Sequence, residues 1–149
     1  TETERIAFTN QSGADLMISL HRDSYVNELA HGAATYFYGS DAHGVHSIVG
    51  ERFASLVQRE ICARTDLVNC RTHAKAWDLL RLTRAPAVHI NLGYVTSPSD
   101  VERISRSDFR DVIAEALVIA IQRLYLAAED DAKTGTLRIA DLRKAGIRR

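Results

Sequence analysis

Ala85-Pro86-Ala87-Val88-His89-Ile90-Asn91-Leu92-Gly93-Tyr94 is the stretch that decides the fold. Val88, Ile90 and Leu92 alternate with Ala87, His89 and Asn91, as expected of a strand with a different environment on each face. The run ends in a polar side chain and a Gly-aromatic turn, a common way to present a functional group at the end of a buried strand. That group is Asn91, and an amide has no proton to shuttle near neutral pH.

Working outward, the chain alternates apolar strands and helices. Thr1–Gln11 reads as the end of an amphipathic helix closed by Gly13. Asp15–His21 fits a buried strand, Arg22–Gly32 a polar loop and Ala33–Tyr38 a second, aromatic strand. Ser40 or Asp41 is expected to cap a helix of about 18 residues, with Val45, Val49, Phe53, Leu56, Val57 and Ile61 on its apolar side. Residues 62–76 read as irregular, Leu79–Leu82 as extended and Pro86–Leu92 as the third strand. Ser97 starts a short helix with Pro98 in its first turn. Ser107 or Asp108 starts a long one, with Phe109, Val112, Ile113, Ala116, Leu117, Ala120, Ile121 and Leu124 as its buried stripe. Strands separated by helices give an α/β fold with a mixed, mainly parallel sheet and helices on both faces.

Length and composition fit this. The 149 residues are 46% hydrophobic and 26% charged, enough for one real core. Nineteen basic and nineteen acidic residues cancel, so a whole-domain nucleic-acid footprint is absent. No apolar run reaches the roughly 18 residues of a membrane span, and no signal peptide opens the sequence. Cys62 and Cys70 do not make a disulfide framework and fit a reducing compartment slightly better. Residues 1–126 read as one domain and residues 127–149 as a basic, flexible tail. Within the tail, Lys133, Arg138, Arg143, Lys144, Arg148 and Arg149 face Asp141 alone from residue 132 on.

Three motifs in order carry a resemblance. Ser19-Leu20-His21 within its helix-strand context, Gly32-Ala33-Ala34-Thr35-Tyr36-Phe37-Tyr38, and Leu80 through Tyr94 followed by Ser97–Asp100 are similar to segments of the zinc-dependent N-acetylmuramoyl-L-alanine amidases. The resemblance runs from about residue 3 to residue 126. It implies an α/β fold with a zinc held by two histidines and a glutamate, which leaves a position for water whose pKa the metal lowers to about 7. It implies a further glutamate for acid/base work and, as substrate, the amide joining muramic acid to the peptidoglycan stem peptide.

Two departures go with it. Asn91 stands where that glutamate belongs, and His21 alone matches a zinc ligand, the N-terminal part of the family fold being missing; Arg22 adds bulk at the site's edge. The defect resembles a mycobacterial amidase-like subgroup. That subgroup implies a cytoplasmic regulator whose partner is a MurA-like enolpyruvyl transferase of peptidoglycan precursor synthesis, controlled by threonine phosphorylation near the C-terminus. On this reading His21 is a vestigial metal position, Asn91 a degenerate catalytic one, and Thr134 and Thr136 are modification sites. Thr136 with Ile139 also resembles a ligand for forkhead-associated domains. No resident cofactor is expected, zinc belonging to the intact fold.

Two alternatives stay open: a working, secreted zinc amidase, and a non-catalytic binder of peptidoglycan fragments. His43 and His46, three apart, could share a helix face as a replacement metal pair, although exposed histidines at a helix start are the plainer reading. His31, His73 and His89 carry the same caution, and Trp77, Tyr36 and Tyr38 read as core or rim aromatics.

Overall fold

The computed structural model describes residues 1–133. Helix α1 (Glu2–Ser12) starts in a capping box, with Thr1 Oγ1 accepting from Glu4 N–H and Glu4 reaching back, and ends on Gly13 in the left-handed conformation. Strands β1 (Met17–Asp23) and β2 (Ala33–Ser40) follow, then a two-residue strand β3 (Val45–His46) and helix α2 (Ile48–Arg64). After these come β4 (Asn69–Lys75), α3 (Asp78–Leu82), β5 (Ala87–Tyr94), α4 (Pro98–Ser105) and α5 (Ser107–Lys133).

The sheet is mixed. β5 lies between β1, to which it is parallel, and β2, to which it is antiparallel; β2 carries β4 in parallel on its far side and the short β3 in antiparallel. β1 and β2 are consecutive in the chain yet not neighbours, so the loop 24–32 arches over the carboxyl end of β5. Helices α2 and α5 cover one face, where Phe53, Val57 and Ile61 of α2 meet Ala33, Phe37, Val88, Ile90 and Leu92, and Phe109, Ile113, Ala116, Ala120 and Leu124 of α5 close the layer. The shorter α1 and α3 pack on each other, and α3 lies against β2 and β5. Helices thus flank both faces, as the sequence implies.

Several expected boundaries move. The helix expected from Ser40 begins at Ile48: Ser47 is the residue whose Oγ accepts a first-turn N–H, from Gly50 at 2.9 Å, while Ser40 makes no such bond. A single turn over Asp41–His43 ends on left-handed Gly44, and Val45 then pairs with β2 as an exposed strand residue. Residues 62–76 are not irregular throughout. Asn69–Lys75 forms β4 without any apolar alternation, because an edge position and a buried glutamine place it: Gln58 Nε2 donates to Ala33 O at 2.8 Å and Asn69 Oδ1 at 2.9 Å, while Gln58 Oε1 accepts from Thr35 Oγ1 at 2.9 Å. Leu79–Leu82 is helical rather than extended, with Leu79 and Leu80 buried. Helix α5 runs on through Lys133, past residue 126, and the rest of the expected tail lies outside the described residues.

Candidate functional site at the end of β5

Asn91 is 1% exposed and sits three residues from the carboxyl end of β5. Its strand partners are His21 of β1 and Ala34 of β2. Beyond His21 the β1–β5 register slips, Asp23 pairing with Tyr94, and the Asp23 N–H freed by the slip donates instead to Asn91 Oδ1 at 3.0 Å. Asn91 Nδ2 is buried without a hydrogen-bond partner among the described residues.

The turn after Asn91 is held by Asp100, 2% exposed, at the third helical position of α4. Its Oδ2 accepts from Gly32 N–H at 2.9 Å and Tyr94 N–H at 3.0 Å, and Arg103, itself paired with Asp66, reaches its Oδ1 at 3.2 Å. One carboxylate therefore joins the end of the 24–32 loop to the Gly93 turn. Gly93 has φ 109°, and a Cβ there would stand 2.9 Å from Asp100 Oδ2. The Ser-Pro-Ser-Asp helix start predicted from sequence is thus also the clamp of the site, a role that spacing alone does not reveal.

On the face opposite α2, a row of rings crosses the sheet. His89 pairs with Ser19 on one side and Tyr36 on the other, and Tyr36 pairs with His73. His21 and His89 have ring centroids 5.1 Å apart, and Trp77 sits 4.8 Å from Tyr36 and edge-on to His89 at 5.6 Å. His89 Nδ1 meets Ser19 Oγ at 3.2 Å. Burial, then the neighbouring His21, pushes the His89 pKa below that of a free histidine. Burial, reinforced by the Asp23 carboxylate, raises the phenols of Tyr36 and Tyr94.

His21 projects on this side with its Nε2 3.3 Å from Asp23 Oδ1. Among the described residues no group of three or more His, Cys, Asp or Glu side chains could hold a metal ion. The donors described do not fit a zinc centre: His21, expected from the sequence as a metal position, has its ring turned to Asp23 and His89. His43 and His46 do not share a helix face; they lie in a single turn and in β3, and His46 Nε2 pairs with Glu51 at 3.0 Å. His31 and His73 bond backbone carbonyls of Leu29 and Cys70, each at 2.6 Å. Thr134 and Thr136 lie outside the described residues. No described helix is long and apolar enough to cross a membrane.

A family model described as N-acetylmuramoyl-L-alanine amidase matches residues 1–123. The chain belongs to this amidase family. It is 44% identical over 142 residues to the N-acetylmuramoyl-L-alanine amidase CwlM of Mycobacterium tuberculosis, a match covering 95% of this chain and 35% of that protein. It is 25% identical over 130 residues to the germination-specific N-acetylmuramoyl-L-alanine amidase of Bacillus subtilis, covering 85% of this chain and 52% of the other. The chain therefore spans about a third to a half of the length of these curated relatives. The crystal structure of an N-acetylmuramoyl-L-alanine amidase from Clostridium difficile 630 superposes with a TM-score of 0.75 at 25% identity, over 86% of this chain and 66% of that one. The Mycobacterium smegmatis amidase Ami1 shares the fold, with a TM-score of 0.67 at 19% identity over 81% and 58% of the two chains.

Proposed function

We propose that this amidase-fold chain works by binding rather than by hydrolysis, as a cytoplasmic regulator of peptidoglycan precursor synthesis. The observation that carries the reading is Asn91. At the end of β5 a general acid or base would have to be a group that gains and loses a proton; the side chain there is an amide, buried, with its oxygen committed to the Asp23 N–H. The partner on this reading is a MurA-like enolpyruvyl transferase, and a forkhead-associated domain is a second candidate reader of the tail. Phosphorylation at Thr134 or Thr136 adds about −1.5 to −2 charges to a basic segment and creates the contact.

Two measurements test it. The chain, supplied with zinc, is expected to leave the amide bond of a defined muropeptide intact; turnover would overturn the reading. Kinase-treated chain is expected to bind the transferase, and Thr134→Ala with Thr136→Ala is expected to abolish that binding; unchanged binding removes the phospho-switch.

Family membership favours a second reading, a zinc-dependent N-acetylmuramoyl-L-alanine amidase. It needs two further zinc ligands and a substitute for the glutamate, and the muropeptide assay separates it from the first. A non-catalytic peptidoglycan binder is a third reading: it would keep its ligand after deletion of residues 127–149, whereas the regulator would lose its partner.

A further inference from the structure

Where α2 meets α5, one buried carboxylate gathers more positive charge than its burial requires. The Glu60 side chain is 4% exposed and accepts a hydrogen bond from Arg64, one turn further along α2. That bond compensates a charge that would be costly to bury alone. Two further guanidiniums nevertheless converge on it. Arg123 of α5 brings its Nε to 3.1 Å from Glu60 Oε1, and Arg59 brings its own to 3.9 Å from the same oxygen. Three arginines on one carboxylate leave two positive charges in excess. One turn to either side of Arg59 stand Ser55, Leu56, Cys62 and Ala63, and one turn before Arg123 stand Ile119 and Ala120, so no carboxylate at these positions takes up the excess. Joining the helices does not demand it either, because α2 and α5 already share the apolar core through Val57, Ile61, Ala116 and Ala120.

We propose that Arg59 and Arg123, positioned by Glu60, form a binding site for a phosphate monoester on the outer surface of the α2–α5 pair. Their side chains are 61% and 49% exposed, and neither has a further partner among the described residues. A guanidinium carries five N–H donors in a fixed fork, and Glu60 occupies few of them. Because both Nε atoms approach one oxygen, a single small anion can face both forks. The match is one of charge and of shape. A phosphate monoester brings about −1.5 to −2 charges at neutral pH and three acceptor oxygens, and guanidinium forks bind such oxygens in pairs. A lone carboxylate would bring a single charge. The site lies on the face of the sheet covered by α2 and α5. It uses no residue at the end of β5 and does not depend on the non-hydrolytic reading.

The test reads the two arginines directly. The 15N-labelled 149-residue chain is titrated at neutral pH with inorganic phosphate, and in parallel with sodium chloride at matched ionic strength. The expected result is a saturable shift of the Nε–H and backbone signals of Arg59 and Arg123 with phosphate and none with chloride. Arg59→Gln and Arg123→Gln are each expected to weaken phosphate binding roughly tenfold, as the loss of a charge-assisted contact implies. Arg84→Gln, beside α3, is expected to leave it unchanged. Arg59 is exposed and its contact with Glu60 is long, so Arg59→Gln is expected to keep the parent melting temperature, which separates lost binding from lost folding. Two further probes identify the source of the phosphate: acetyl-phosphothreonine N-methylamide for a modified protein side chain, and glucose 6-phosphate for a small metabolite. Binding of either, weakened by the same two substitutions, supports the proposal. Shifts reproduced by chloride, a glutamine variant with unweakened binding, or failure of both monoesters overturns it and leaves the cluster as an ion network between two helices.

Discussion

The side-chain oxygen of Asn91 takes the backbone N–H of Asp23 at 3.0 Å, at the point where β1 and β5 slip out of register. A side chain thereby replaces a missing rung of the ladder, and Asn91 has a structural job in this chain.

Replacing Asn91 should therefore cost stability before it changes any chemistry. Asn91→Ala leaves the Asp23 N–H without its acceptor and is expected to destabilise the fold by about 1–3 kcal/mol, measured by denaturant unfolding. Asn91→Glu places an acid at the strand end but supplies no metal ligand, so it is expected to give this chain no muropeptide hydrolysis with zinc present. Activity appearing in that variant would show that the remaining site is complete.

Asp100 should be among the most sensitive positions outside the apolar core. Its buried carboxylate holds the N–H groups of Gly32 and Tyr94, so Asp100→Ala orphans both and is expected to cost on the order of 3 kcal/mol. Gly93→Ala acts on the same clamp from the other side, through φ 109° and the 2.9 Å approach to Asp100 Oδ2. It is expected to cost more than about 1 kcal/mol. Because the two share the clamp, the double variant should fall short of the sum of the singles in a thermodynamic cycle.

Acid should weaken the fold through His89. Its folded-state pKa is depressed below the free value of 6.5, chiefly by burial and then by His21. The unfolded chain therefore binds the proton more readily. The stabilising contribution is complete above about 6.5 and is lost as pH falls from there through the folded-state value. His89→Gln is expected to flatten that part of the melting-temperature profile; an unchanged slope would assign the acid sensitivity elsewhere.

The parts of the fold written in apolar periodicity were legible in the sequence. The β5 alternation, the α5 stripe and the Ser97 and Gly13 caps all stand where local chemistry puts them. The strand β4 was not legible, because Asn69–Lys75 is polar and bulged, with Arg71 at φ 69°, and owes its place to the edge of β2 and to Gln58. The start of α2 was misplaced because Ser40 and Ser47 are equally good capping residues in isolation; the β3 pairing decides between them. For the site, Asn91 and His21 were marked by motif, but the register slip that binds Asn91 to Asp23, and the row His21–His89–Tyr36–Trp77, depend on which strands become neighbours. No local pattern encodes that.

The order β1-β5-β2 also bears on how the chain reaches its native state. β1 and β2 are separated by a nine-residue loop, 24–32, so a direct hairpin between them would close a short loop at low entropic cost. It is also a wrong one, since β5, synthesised much later, must occupy the space between them. Any early β1–β2 hairpin has to open to admit that strand. Native pairing across β5 is long-range and slow to form, so a β1–β2 hairpin formed before it would be a kinetic trap. The loop that roofs the site is thus also the hinge through which the last strand of the sheet enters.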